Sequence, residues 1–302
     1  MSENKRRRSR LPLVGVVVVV ALALGLGGVG WFYSDEILAV ETSERSGSFT
    51  VPAADLDSKL RRVDVPGPLG TYPALHADGD DDTWVVFVHG RGGEPDDGLH
   101  LLPLLAERGH PALLITYRND FAAPPGPDGR YRLGWTEWED LDAAVDWALE
   151  RGARDVVLVG YSMGGAIVGR YLAEEPDVPV RGVVLDAPVV RWSLAISAAA
   201  VDRGVPTALT PLAQGMVTLR TGLRWGHLDL LDRADELDDP ILLFHGDADT
   251  VVPIEGSDRL AAARPDLVEY VRVPGAAHVR AWETDPEGYE KALLRFLDDI
   301  GA

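Results

Sequence analysis

The chain has 302 residues, of which 46% are hydrophobic and 25% charged, a composition typical of a globular protein with one large domain or two modest ones. The formal net charge is −19, but residues 1–10 carry +4 and residues 11–34 carry none, so residues 35–302 carry −23. An acidic body of this kind repels phosphate backbones, which argues against nucleic-acid binding. The lack of cysteine excludes disulfides, thiolate metal sites and a cysteine nucleophile, and it leaves the redox compartment open.

The first predicted element is a transmembrane helix at residues 11–33. This run has no charged residue, and at about 1.5 Å per residue it is long enough to cross a hydrocarbon core of about 30 Å. The basic segment 1–10 is expected to stay in the cytoplasm, and Trp31, Phe32 and Tyr33 suit the far interface. We therefore expect a single-pass membrane protein with its body outside the cytoplasm. The alternative is a cleaved signal peptide and a secreted protein, because residues 21–23 and 28–30 offer small residues at cleavage spacing.

The body is predicted to be a single α/β domain at residues 60–302, joined to the membrane helix by a polar stalk at residues 34–59. Short valine-rich runs alternate with helical patterns, which predicts a doubly wound, mostly parallel sheet covered by helices on both faces. The predicted strands are residues 84–88, 112–116, 155–159, 182–185, 241–244 and 268–273. The alternation stops at residues 188–232, where apolar residues among prolines predict a small helical cap.

One helix is predicted in detail, over residues 136–150. Thr136 and Glu139 have the spacing of a capping box, and the apolar residues after them recur every three or four positions. The acidic residues between them, Asp140 included, are then expected on the solvated face.

The most informative stretch is GYSMGG at residues 160–165, between a predicted strand and a predicted helix. Glycines two residues to either side of Ser162 allow the sharp strand–turn–helix bend that presents a nucleophilic serine at the carboxyl edge of a sheet. The helix that follows has free N–H groups and a dipole that favour developing negative charge. Ser162 is therefore the candidate nucleophile.

A serine nucleophile needs a histidine base and an acid that orients the base. His278 follows the last predicted strand and is the candidate base, whereas His89 and His245 in His-Gly pairs are expected to bond backbone and shape loops. Asp249 is the preferred acid, and Asp247 and Asp186 are the alternatives. No metal or cofactor is predicted.

Taken together, these motifs resemble those of the α/β-hydrolases over about residues 60–300. The resemblance is carried by FVHGRGG (87–93), GYSMGG (160–165), HGDADTVVP (245–253) and GAAH (275–278). The segment WGHLDLLDRADEL (225–237) is similar to that of membrane-anchored, BEM46-like serine hydrolases. The resemblance implies that Asp249 is the triad acid and that the backbone N–H groups of Arg91 and Met163 form the oxyanion hole.

The resemblance also implies two-step acyl transfer through an acyl-enzyme on Ser162. The expected substrate is a small acyl ester or a lipid-like molecule, while peptidase, amidase or thioesterase activity would use the same triad. The alternative from another class is a catalytically silent, membrane-tethered binding protein. A separate possibility for Arg91 is that its side chain recognises an anionic group of a substrate. The sequence makes no prediction about oligomeric state.

Overall fold

The computed structural model describes residues 11–40, 60–120 and 122–302, with residues 11–24 described by their backbone. The strands are β1 (Leu60–Gly67), β2 (Gly70–Ala77), β3 (Thr83–Val88), β4 (Ala112–Ile115), β5 (Asp155–Tyr161), β6 (Val180–Asp186), β7 (Ile241–Gly246) and β8 (Val268–Val273). The helices are α1 (Leu11–Leu38), α2 (Leu102–Arg108), α3 (Trp138–Leu149), α4 (Met163–Leu172), α5 (Trp192–Asp202), α6 (Thr210–Thr221), α7 (Trp225–Leu228), α8 (Glu255–Ala263), α9 (Ala281–Thr284) and α10 (Pro286–Asp299). The predicted basic segment 1–10 and residues 41–59 of the predicted stalk lie outside the described residues.

Within this described part, the eight strands form one mixed sheet in the order β1-β2-β4-β3-β5-β6-β7-β8. Strand β2 is antiparallel to both β1 and β4, and the pairs from β4 to β8 are parallel. All six predicted strands are present, with ends within two residues of those predicted. The β1–β2 hairpin at one edge was not part of the prediction, and it is the antiparallel part of a sheet that was predicted to be mostly parallel.

Helices cover both faces of the sheet, which is why the central strands are apolar along their whole length. Every residue of β3, β5 and β7 is buried. Side chains of α3, α4 and α8 pack on one face, and those of α2 and α10 pack on the other. Because the parallel strands end at the same edge, the loops after β3, β5, β7 and β8 converge there.

Helix α3 begins at Trp138, and the capping box predicted at Thr136 and Glu139 is not formed. The N-cap residue is Glu137, without a side-chain capping bond. Asp140, expected on the solvated face, is only 3% exposed. Its carboxylate accepts two hydrogen bonds of 2.8 Å from the Arg118 guanidinium, so burial is compensated by a bidentate ion pair that the helical pattern could not reveal.

Helix α1 extends five residues past the predicted end of the membrane segment at residue 33. Across the residues that the structure describes, no helix is both long and apolar enough to span a membrane, so the predicted transmembrane helix is not supported. Residues 34–38, predicted to begin a polar stalk, form the last helical turns of α1, and Leu38 is fully buried against the domain.

Between β6 and β7, where a cap at residues 188–232 was predicted, lie α5, α6 and α7, followed by a 3₁₀ segment at Leu230–Glu236. Helices α5 and α6 lie near the carboxyl edge of the sheet and line a cavity at Ser162. Helix α6 also packs along α1. This part of the chain therefore forms walls of the cavity at Ser162.

Candidate active site

Ser162 lies in a strained turn between β5 and α4. Its φ of 51° and ψ of −115° are unusual for a residue with a side chain. The turn is fixed at both sides, because the Ser162 N–H donates to the Asp186 carbonyl at 3.0 Å and the Ser162 carbonyl accepts from the Val189 N–H at 3.0 Å. The end of β6 thus holds the serine at the carboxyl edge of the sheet.

The two glycines that flank the turn are required by packing. A Cβ atom at Gly160 would lie 2.8 Å from the backbone of Gly165, at the start of α4. A Cβ atom at Gly164 would overlap the carbonyl oxygen of Val88, at the end of β3. No side chain fits at either position without moving backbone, and this is the physical reason for the G-x-S-x-G pattern.

The structure brings Ser162, His278 and Asp249 together in one line. The Nε2 atom of His278 lies 2.9 Å from the Ser162 hydroxyl oxygen, and its Nδ1 atom lies 2.7 Å from the Asp249 carboxylate. These are the contacts that a serine nucleophile, its base and an orienting acid require. The three residues come from the loops after β5, β8 and β7.

The Asp249 carboxylate is fully buried and receives several donors. Its Oδ1 atom accepts the N–H groups of Val251 and Val252 at 2.8 and 2.9 Å, and its Oδ2 atom also lies 3.2 Å from His245. Burial alone would raise the pKa of Asp249, but hydrogen bonds from His245 and His278 hold that pKa well below its usual range. The carboxylate is therefore ionised at neutral pH and can hold the imidazole of His278 in one orientation.

The two alternative acids lie elsewhere. Asp247 is exposed, and its carboxylate accepts the Gly275 N–H at 2.6 Å, a contact that closes the loop after β8. Asp186 is 2% exposed, and burial together with the nearby carboxylates of Glu283 and Asp249 raises its pKa well above the usual value. Of the three candidate acids, Asp249 is the one whose carboxylate pairs with His278.

The two histidines of the His-Gly pairs do bond backbone as expected. His89 lies 2.8 Å from the Gly90 carbonyl oxygen and 3.0 Å from the Asp120 carboxylate, which fixes the loop after β3. His245 lies 3.0 Å from the Val252 carbonyl oxygen. The contact of His245 with Asp249 was not predicted, and its only sequence signal is the i,i+4 spacing within HGDAD.

Arg91 and Met163, the expected oxyanion-hole residues, both lie beside Ser162. Met163 is the first residue of α4, so its N–H has no intrahelical acceptor. Arg91 follows Gly90, where a Cβ atom would lie only 3.0 Å from the Ser162 Cβ atom. The Arg91 guanidinium donates to three backbone carbonyls at the end of α1. This arrangement differs from the alternative role of Arg91, in which its side chain recognises an anionic group of a substrate.

Two cavities meet at Ser162 and His278. The first, here the apolar cavity, has a volume of about 570 Å³. It is lined by residues of α5, the start of α6, the end of α1 and the loop after β7: Tyr33, Glu36, Ile37, Ala39, Trp192, Ala195, Ile196, Ala199, Ala200, Arg203, Val205, Leu209, Thr210, Ala213, Val251 and Val252, besides Met163, Val189 and Arg91. This volume is within the range of small-molecule sites.

The second, here the polar cavity, has a volume of about 340 Å³ and also borders Ser162 and His278. Its walls include Gly92, Gly93, Asp186, Trp282 and Glu283. The reactive serine and histidine are thus placed between an apolar and a polar space. Among the side chains that the structure describes, no group of three His, Asp or Glu residues is arranged to hold a metal ion.

Comparison with known proteins identifies the fold. A family model described as alpha/beta hydrolase fold matches residues 83–204. The esterase Pf2001 of Pyrococcus furiosus is similar in structure, with a TM-score of 0.62 at 19% identity, over 80% of this chain and 92% of that one. The chain therefore has the α/β-hydrolase fold, on a mixed eight-stranded sheet in its described part.

Two curated relatives are similar in sequence. An uncharacterized protein of Mycobacterium tuberculosis is 26% identical over 234 residues, which cover 76% of this chain and 75% of the relative. A non-heme chloroperoxidase of Kitasatospora aureofaciens is 25% identical over 259 residues, which cover 71% of this chain and 92% of the relative. These comparisons support the hydrolase fold and do not support the narrower resemblance to membrane-anchored, BEM46-like enzymes.

Proposed function

We propose that this chain is a serine hydrolase that cleaves small carboxylic esters with an apolar acyl group. The observation that carries the proposal is the line from Ser162 through His278 to the buried Asp249 carboxylate, at 2.9 and 2.7 Å, at the junction of the two cavities. The fold of the Pyrococcus furiosus esterase supports the same class of reaction.

In the proposed mechanism the Ser162 oxygen attacks the ester carbonyl carbon and its proton passes to Nε2 of His278. The N–H groups of Met163 and Arg91 stabilise the negative oxygen of the tetrahedral intermediate. When the intermediate collapses, the bond to the leaving alcohol breaks and His278 gives this alcohol its proton. Water, deprotonated by the same histidine, then attacks the acyl-enzyme and releases the acid and the free serine.

The two cavities give the proposed substrate its orientation. The apolar cavity suits the acyl chain, because its walls are mostly alanine and aliphatic or aromatic side chains. The polar cavity suits the leaving alcohol, because glycine backbone and the polar side chains of Asp186 and Glu283 line it. A linear acyl chain and a small polar alcohol would thus occupy different cavities that both border Ser162 and His278.

The proposal is tested by hydrolysis of p-nitrophenyl esters with acyl chains of increasing length. Wild type should hydrolyse them, and Ser162→Ala should reduce turnover by about 10⁶-fold if the triad acts as a unit. Ser197→Ala is the matched control, since Ser197 contacts Thr210 rather than His278 and should keep full activity. Activity retained in Ser162→Ala would rule out this serine as the nucleophile.

We further propose that the enzyme is held at a membrane, with its domain outside the cytoplasm and lipid-like esters among its substrates. This proposal depends on the uncharged run at residues 11–34 and the basic residues before it. Fractionation of expressing cells, with intact-mass analysis of the protein, provides the test. Intact protein in the membrane fraction supports the anchor, whereas a shortened protein in the medium would support the secreted alternative.

A further inference from the structure

The end of α1 is held by three arginines from separate parts of the domain. Arg130 pairs with the Asp35 carboxylate at 2.8 Å. Arg220, on α6, donates to the same carboxylate at 3.0 Å and to the Ser34 hydroxyl at 2.6 Å. The third, Arg91, belongs to the loop after β3 that borders Ser162. The last two turns of α1 are therefore tied to the domain from several directions.

Arg91 binds the backbone of α1 rather than a side chain. Its guanidinium donates to the carbonyl oxygens of Glu36 and Ile37, both at 3.2 Å, and to that of Ala39 at 2.7 Å. The last carbonyls of a helix have no intrahelical donors and carry the negative end of the helix dipole, so a guanidinium is a well-suited partner. Three bonds from one planar group fix its position closely.

The same end of α1 forms part of the apolar cavity. Tyr33, Glu36, Ile37 and Ala39 line it together with residues of α5. Leu38 is fully buried, and its carbonyl oxygen accepts the Tyr131 N–H at 3.1 Å, so this wall is anchored to the domain by backbone as well.

We propose that the end of α1 contributes to catalysis, because it binds the side chain of Arg91 and thereby positions the oxyanion-hole loop. The inference rests on the proposed serine hydrolase function, in which the backbone N–H of Arg91 stabilises the oxyanion. Arg91 borders both cavities at Ser162 and its side chain reaches α1, so the guanidinium restrains the backbone that carries the Arg91 N–H. Arg91 is a positioning residue through its side chain.

The tie acts on the residues after Gly90, whose own carbonyl oxygen is already held by His89 and Tyr117. Residues 90–93 read Gly-Arg-Gly-Gly, and Gly92 has a φ of 66°, a conformation that favours glycine. Three glycines leave the backbone with little intrinsic preference for one direction of the Arg91 N–H. An oxyanion hole is effective only when its donors are already in place, so an external anchor is needed.

The experiment compares Arg91→Ala, Arg91→Lys and Arg130→Ala in the full chain, with kcat and KM measured on one p-nitrophenyl ester. Arg130→Ala is the matched control, because it removes one arginine bond to α1 while Arg220 still pairs with Asp35, and it leaves the bonds of Arg91 to α1 in place. We expect Arg91→Ala to lower kcat by about 10- to 100-fold with KM changed less than threefold, somewhat less than the loss of a complete oxyanion donor. Arg91→Lys should recover part of this loss, since an ammonium can still donate to one carbonyl, and Arg130→Ala should keep kcat within about threefold.

A kcat of Arg91→Ala equal to that of Arg130→Ala would overturn the inference, and so would equal kcat values for the alanine and lysine variants. Thermal unfolding of all three variants shows whether each is folded, and the lysine variant keeps the test decisive if the alanine variant is not. Failure of the proposed function would be distinct, because wild type itself would then show no esterase activity.

Discussion

The Nδ1 atom of His278 lies 2.7 Å from the Oδ2 atom of Asp249, although 29 residues separate the two in the chain. The carboxylate that holds this histidine is itself held by two backbone N–H groups and by His245. The pair is thus a rigid unit in which Nε2 of the imidazole is directed to Ser162.

Replacement of Asp249 by asparagine tests this unit. An asparagine amide can donate to Nδ1 and stabilise the wrong tautomer, so turnover of Asp249→Asn should fall by about 10⁴-fold. Asp247→Asn is the matched control two residues away, because Asp247 accepts the Gly275 N–H rather than a bond from His278 and asparagine keeps an oxygen acceptor, so turnover should change by less than about tenfold. Steady-state kinetics on one ester measures both. Equal losses in the two variants would contradict the assignment of Asp249.

The glycines of the turn give a prediction about stability. Gly164→Ala places a methyl group against the Val88 carbonyl oxygen, and overpacking of this kind destabilises by about 1–3 kcal/mol. Gly215→Ala is the control, because Gly215 lies in α6 with no atom near its added Cβ, and alanine there should stabilise by about 0.5–1 kcal/mol. Chemical denaturation measures both. A Gly164→Ala variant as stable as wild type would show that the turn has room for a side chain.

A larger side chain that fills the apolar cavity should change which acyl chains the enzyme prefers. Ala199 lines the cavity from α5, and Ala199→Trp should reduce the ratio of octanoate to acetate ester hydrolysis by at least about tenfold, because the longer chain loses its space. Its neighbour Ala198 does not line this cavity, so Ala198→Trp should leave the ratio unchanged. If both variants kept the wild-type ratio, the acyl chain would have to bind elsewhere.

The pKa of Asp229 predicts how the stability of the protein changes with pH. Burial raises the pKa of Asp229 to about 6, although the hydrogen bond from the Trp192 N–H and the positive charge of Arg191 both lower this pKa. The folded state favours the protonated form of Asp229, so protonation of this carboxyl group stabilises the fold. This contribution to the free energy of unfolding is complete below a pH of about 4 and is lost as the pH rises through 6.

Asp229→Asn keeps an oxygen acceptor for the Trp192 N–H and removes this titration. The unfolding free energy of the variant relative to wild type should therefore rise between pH 4 and pH 7, by up to about 3 kcal/mol. Urea denaturation at several pH values measures this difference, and Asp202→Asn, at the exposed end of α5, provides the control. A difference that does not change with pH would contradict the expected burial cost.

Much of this fold could be predicted, because the patterns concerned are local. A buried parallel strand needs a continuous apolar run, and each such run became a strand. The GYSMGG motif predicted the turn at Ser162, since backbone geometry at that point admits only glycine at positions 160 and 164. His278 could be located because parallel strands end at one edge, so residues just after β7 and β8 must lie near that serine. The same argument admits Asp247 as well as Asp249, and the resemblance to the α/β-hydrolases favoured Asp249.

Contacts between distant parts of the chain could not be predicted. Nothing near Asp140 indicates that Arg118, 22 residues earlier, buries it in an ion pair. Nothing near residue 36 indicates that Arg91 would bind the carbonyls there, because carbonyl acceptors are the same at every position. The run at residues 11–33 suggested a membrane helix from its length, its lack of charge and the basic residues before it, whereas the docking of the residues just after it depends on three arginines spread over the domain.

The most direct test of the central claim is covalent labelling of the full chain by a fluorophosphonate probe, which reacts with serines activated by a histidine base. We expect labelling at Ser162, located by peptide mass spectrometry, and its loss in His278→Ala while Ser197→Ala is labelled as wild type. Absence of labelling in folded wild type, or labelling of Ser162 that persists in His278→Ala, would contradict the account of Ser162 as a nucleophile activated by His278.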